Sequence, residues 1–177
     1  MASLNRALTT RRAGTLVVLG AAAAGLAGCG PGVPTRLTFN DVEQVKVTEI
    51  VVTGGSGDVS VRTSARADTR ISRVVSYHSG GQPGATYRLS GTVLTVDTDC
   101  GHSCSVSYDI DAPAGVAVRG TLRSGDVNLR DVAGVDVEVS SGDVVVTGAS
   151  GAVQVRATSG DITVADLQST AELVATS

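Results

Sequence analysis

Beyond residue 37 the chain alternates between apolar and polar positions in short runs broken by glycine. Val135, Val137 and Val139 form one run, Val153, Val155 and Ala157 another, and Ile50 and Val52 hold the matching places earlier. Each run leads into one recurring phrase: Ser56-Gly57-Asp58-Val59-Ser60-Val61, Ser124-Gly125-Asp126-Val127-Asn128-Leu129, Ser141-Gly142-Asp143-Val144-Val145-Val146 and Ser159-Gly160-Asp161-Ile162-Thr163-Val164. A period of two predicts short strands with one buried face. Ser-Gly-Asp supplies the turn, because Gly tolerates positive φ and an Asp carboxylate accepts from nearby backbone N–H groups. A second glycine recurs between runs, at Gly134 and Gly151. Gly and β-branched residues interrupt every window that might be helical.

One such unit cannot bury its apolar row alone, whereas stacked units can. The predicted fold is therefore all-β: a single-domain β-solenoid of stacked 17–18-residue coils with aliphatic ladders inside. Residues 66–112 depart from the repeat. Thr69–Tyr77, Thr86–Leu89, Val93–Asp97 and Ser105–Asp109 read as longer alternating strands, with turns at Ser79–Gly84 and Ser90-Gly91. They predict an irregular antiparallel meander flanking or capping the solenoid, with regular repeats over 113–177. Ala171, Leu173 and Ala175 align with Val153, Val155 and Ala157, and Ser177 with Ser159. The last coil is thus expected to be cut short or frayed, leaving an unpaired edge.

Composition narrows the picture. Aromatics make up 2% of the chain and hydrophobic residues 42%, so the core is expected to be aliphatic, with Val and Ala filling a thin coil. So few rings argue against a stacking platform for single-stranded nucleic acid or for sugar rings. The chain is too apolar for a disordered one.

The first 28 residues read as an address. Arg6, Arg11 and Arg12 precede an apolar run from Leu16 to Leu26, too short for the roughly 20 residues that span a bilayer. A basic start, a short apolar core and small residues at its end describe an export signal. Leu26-Ala27-Gly28-Cys29 resembles the lipobox of bacterial lipoproteins. That resemblance implies cleavage before Cys29, diacylglyceryl on its thiol, and anchoring at the extracytoplasmic face of the cell membrane; two acyl chains make a stable anchor. Thr10-Arg11-Arg12 is a weak match to a twin-arginine signal. Residues 29–36 read as a Gly/Pro tether and 37–177 as the domain. Losing the signal moves the formal charge from −3 to about −6. An acidic body without clustered Lys and Arg is a poor partner for nucleic acid. The one local basic group, Arg62, Arg66, Arg70 and Arg73, reads as a solvated strand-and-turn face.

Alternating strands ending in Asp109-Ile110-Asp111-Ala112-Pro113-Ala114-Gly115, followed by Ser-Gly-Asp-Val coils, resemble the bacterial putative-adhesin domain family of unknown function. The resemblance runs over about residues 40–177. It implies a β-solenoid on an exported or envelope protein, with no catalytic residues and no named ligand.

Two constellations could carry chemistry. Cys100-Gly101-His102-Ser103-Cys104 is expected to close as a disulfide across a turn, in an oxidising compartment; a metal site at Cys100, His102 and Cys104 is the alternative, with His78 the only other histidine. The second is the Asp column. Stacked coils would set Asp126, Asp143 and Asp161 about 4.8 Å apart, a separation that could serve a retaining glycosidase or share Ca²⁺. Recurrence at every turn favours a structural rule over a single active site. Repeat turns are therefore assigned at Gly57, Asp58, Gly125, Asp126, Gly142, Asp143, Gly160 and Asp161. No nucleophile elbow or phosphate-cradling loop occurs, and no cofactor or metal is expected. The sequence thus reads as a non-enzymatic envelope lipoprotein that presents its strand faces to an envelope macromolecule or surface partner. A carbohydrate-active β-helix enzyme using the Asp column is the alternative from another class.

Overall fold

The computed structural model describes residues 34–78 and 84–176. The export segment 1–28, the lipobox Cys29, most of the tether and the turn over 79–83 lie outside the described residues, as does Ser177. The strands are β1 (Thr35–Glu43), β2 (Glu49–Thr53), β3 (Val59–Ser64), β4 (Thr69–Tyr77), β5 (Tyr87–Ser90), β6 (Val93–Asp97), β7 (Cys104–Pro113), β8 (Ala117–Ser124), β9 (Val127–Arg130), β10 (Gly134–Ser141), β11 (Val144–Thr147), β12 (Val153–Ser159), β13 (Ile162–Ala165) and β14 (Ala171–Ala175). They form two seven-stranded sheets, ordered β1-β4-β7-β3-β9-β11-β13 and β14-β12-β10-β8-β2-β6-β5.

Each repeat coil contributes one strand to each sheet and turns between them at Ser-Gly-Asp. Within the repeats all pairing is parallel and in phase: Val127, Val144 and Ile162 stack in one row, and Leu129, Val146 and Val164 in the next. Opposite them Val135 lies between Val118 and Val153. The inward positions are buried and the outward ones less so, as β11 shows with Val144 and Val146 inside and Val145 and Thr147 only half-buried. These rows make one aliphatic core between the sheets. Burying a Val or Leu stabilises the fold by about 1.5–3 kcal/mol per side chain, and the ladder repeats that gain coil after coil. This is the β-solenoid that the alternation predicts.

The region over 66–112 is antiparallel in part, and its strands divide between the two sheets. β1, β4 and β7 pair antiparallel in one sheet and β5 with β6 in the other. β6 and β7 also run parallel to β2 and β3, so they form a further coil of the solenoid. Spatially, the β2–β3 coil sits between this coil and the β8–β9 coil. The chain builds outward on one side through β7, then crosses back to β8 and grows the other way. β1, to which the sequence pattern assigned no strand, forms the sheet edge and begins at Thr35, two residues inside the expected tether.

One expectation is overturned. Arg73 does not lie on a solvated face: its side chain is 13% exposed. Alternation along β4 sends Ile71, Arg73 and Val75 inward together, and register places Arg73 opposite both Phe39 and Tyr108. Phe39 holds the guanidinium carbon 4.4 Å from its ring centre and Tyr87 holds it 5.4 Å away. Three of the four aromatic residues thus gather around one cation.

Candidate functional site

The Ser-Gly-Asp corners form a continuous ladder. The Asp161 N–H donates to Asp143 Oδ1 at 2.9 Å, the Asp143 N–H to Asp126 Oδ1 at 2.9 Å, and the Asp126 N–H to Asp58 Oδ1 at 3.1 Å. Asp58 donates in turn to Ser107 Oγ at 3.1 Å, so a serine ends the column on β7. The Asp58, Asp126 and Asp143 carboxylates therefore each satisfy a backbone donor in the next coil, which the corner cannot place in a regular ladder. Asp58 joins the column directly beside Asp126, although the β4–β7 excursion separates them in sequence. Nothing in the local sequence marks Ser107 as the terminal rung.

The glycines stack in the same corner for a steric reason. Gly142 has φ +136°, and a Cβ there would strike the carbonyl oxygen of Gly125 in the neighbouring coil. The opposite corner has its own left-handed column, Asp131 (φ 57°), Gly148 (φ 74°) and Asp166 (φ 54°), which the repeated Gly134 and Gly151 did not reveal. Asp is among the few residues with a Cβ that visit this region readily.

Among the described residues no group of three or more His, Cys, Asp or Glu is placed to hold a metal ion. Cys100 and Cys104 are joined as a disulfide with Cα atoms 5.3 Å apart, which leaves neither thiol free to ligate one. Inside that loop Gly101 and Ser103 take positive φ. Asp99 Oδ1 accepts from the Gly101 N–H at 2.8 Å, and the His78 N–H donates to the Ser103 carbonyl at 3.2 Å, tying the loop to the end of β4.

A groove of about 490 Å³ opens beside this loop. Ser76 and His78 from the end of β4, Asp99 from the loop, Ser105 from β7, Ser56 from the corner before β3 and Arg123 from β8 line it. It brings together residues from five separate stretches of chain, Pro34 included, of which the sequence pattern singled out Ser56, within a repeat phrase, the Cys100–Cys104 segment and His78. The column aspartates Asp58, Asp126, Asp143 and Asp161 are not among its lining.

At the β1–β5 end, Arg73 donates to Thr86 Oγ1 at 2.9 Å, and its Nε stands 3.5 Å from Asp41 Oδ2. Both of these atoms are buried and lack a hydrogen bond, so they meet as an ion pair alone. Tyr87 donates to Glu43 at 3.0 Å, and Tyr108 donates to the Thr86 carbonyl at 2.6 Å. Burial is the largest cause that pushes both phenols up to about 12. On the outer face Arg62 pairs with Asp111, while Arg66 meets Asp68 at 2.9 Å and Asp111 at 3.5 Å. The hydrogen bond from Arg66 holds the exposed Asp68 carboxyl below its ordinary range. The Arg62 side chain is 60% exposed, so its pair contributes little to stability; Arg66, with its side chain 15% exposed, does not lie on a solvated face any more than Arg73 does.

The family model described as Toastrack DUF4097 matches residues 37–177. A crystal structure of a putative cell adhesion protein from Clostridium sporogenes is similar over 81% of this chain and 100% of its own, at 9% identity and a TM-score of 0.47. A putative adhesin from Parabacteroides merdae is similar over 82% of this chain and 98% of its own, at 11% identity and a TM-score of 0.34. No curated protein sequence matches the chain.

Proposed function

The chain belongs to the Toastrack DUF4097 family, and from that premise we propose that it is an exported lipoprotein, anchored through Cys29 at the extracytoplasmic face of the membrane, whose solenoid is a non-enzymatic interaction module for an envelope macromolecule or surface partner. The observation that carries the non-enzymatic part is the Asp ladder. Three successive column carboxylates accept amides of the following coil, a job that recurs identically along the stack. A glycosidase pair needs two carboxyl groups free to face a scissile bond, so the Asp column offers the carbohydrate-active reading little support. The basic, short-cored N-terminus ending in Leu26-Ala27-Gly28-Cys29 supports the anchor. The Cys100–Cys104 disulfide agrees with an oxidising compartment.

Expression of the full chain in a bacterium fed labelled palmitate tests the anchor. The expected result is label on a chain that starts at Cys29 and sediments with membranes, both lost in Cys29→Ser. An unlabelled chain released to the medium overturns it.

A further inference from the structure

We propose that the groove beside the Cys100–Cys104 loop binds a saccharide bearing a single carboxylate, with Arg123 receiving the carboxylate and serine hydroxyls receiving the sugar. This rests on the reading of the domain as an envelope-facing interaction module and names its ligand class. The groove's volume of about 490 Å³ lies within the roughly 300–1,000 Å³ of small-molecule sites. Its lining is rich in hydroxyls, from Ser56, Ser76 and Ser105, with the imidazole of His78 beside them. A hydroxyl both donates and accepts, which suits the mixed donors and acceptors of a sugar ring.

Charge selects among sugars. Arg62, Arg66, Arg70, Arg73 and Arg119 each pair with a carboxylate; among the described residues Arg36, Arg88, Arg123, Arg130 and Arg156 make no ion pair, and of these Arg123 alone lines the groove. Its guanidinium is a planar fork suited to bidentate capture of a carboxylate. The groove's one carboxylate, Asp99, already holds the Gly101 N–H. One available cation beside one engaged anion matches a single negative group; a polyphosphate or nucleic acid needs several cations. The disulfide sets the wall. It closes the loop that carries Ser103, whose carbonyl holds the His78 N–H just past β4, so opening it should let that side of the groove relax.

The full chain is titrated by calorimetry with a disaccharide carrying one glucuronic acid, its neutral glucose counterpart and a counterpart carrying one sulfate in place of the carboxylate. The uronate should bind at least about tenfold tighter than the other two, and Arg123→Ala should lose about tenfold. Arg123→Lys should fall between, and Arg130→Ala, on the other sheet, should bind like the parent. Reducing the disulfide should weaken binding while the strand circular-dichroism signal persists. No uronate binding, equal binding of the neutral or sulfated sugar, or indifference to Arg123→Ala overturns the assignment. Failure here with lipid still on Cys29 removes the groove alone and leaves the envelope reading standing. Uronate binding by a chain that never acquires lipid does the reverse.

Discussion

A carboxylate in the Asp column accepts one amide from the neighbouring coil, and its value is that of one exposed, charge-assisted hydrogen bond. Removing Asp143 frees the Asp161 N–H to bind water, so the loss is modest. Asp143→Ala should destabilise by about 0.5–2 kcal/mol, in the range of a lost helix cap. Asp143→Asn keeps an acceptor oxygen and should recover most of it; urea midpoints of the two variants check the difference. Gly142 is less forgiving, because there the backbone itself excludes a side chain. The two phenols, Tyr108 buried and Tyr87 half-buried, make a separate pH statement. Their folded pKa of about 12 stands above the ordinary value of about 10. The neutral form is therefore favoured by folding. The stability they contribute is complete below pH ~10 and is lost as pH rises from there through their folded pKa. Denaturant midpoints should fall over that window, and ultraviolet phenolate absorbance should show Tyr87 and Tyr108 titrating late. Midpoints flat across it would contradict the burial.

Strands and corners were legible in the sequence wherever the repeat was regular. Val135-Val137-Val139 and Ser141-Gly142-Asp143 state their own geometry, since period two and a Gly-Asp turn leave few alternatives. The meander over 66–112 was harder for a definite reason. β4 ends among alternating residues like any antiparallel strand, and nothing local says that β6 and β7 will lie parallel to β2 and β3. Register between distant strands is fixed by which rows they bury together, and one sequence does not name the partner. Arg73 was misread on the same ground: charge suggested solvent, while alternation from Ile71 to Val75 required burial. The groove was the least legible part, being assembled from the ends of elements that meet only after both sheets form. The Arg73 cluster ties β1 and β4 of one sheet to β5 of the other. Arg73→Ala removes the cation from between Phe39 and Tyr87 and leaves Asp41 without its partner. A loss of about 2–3 kcal/mol is expected, larger than for Arg70→Ala on the exposed side of the same strand. Equal losses in thermal unfolding would show that the cluster ties nothing.

The two ends of the stack over residues 34–176 are unlike, and that stretch should open from one of them. Near the β1 edge, Leu37 and Phe39 pack against the core, while Asp41 and Glu43 take inward-facing places engaged by Arg73 and Tyr87. Inward charges discourage further pairing at this edge. At the other end β14 is exposed along its length, with Leu173 and Val174 each 43% accessible, and β13 is only half-buried on its inner row. Coils of a solenoid are stabilised mainly by their neighbours, so a coil covered on one side only is held by about half the contacts of an interior one. Interior coils also bury the fully enclosed residues, Ile50 and Val61 in the first and Leu129 in the next. Local unfolding draws on the least covered unit. Native-state hydrogen exchange should therefore run fastest in β14, then β13 and β12, and slowest in β2, β3, β8 and β9. Leu129→Ala, a core truncation that costs about 2–5 kcal/mol, should accelerate exchange in the interior coils, whereas Leu173→Ala should change only β14 and its neighbour. Uniform exchange across all coils would mean that the domain opens as one unit, and that the ladder couples its ends more tightly than nearest-neighbour stacking allows.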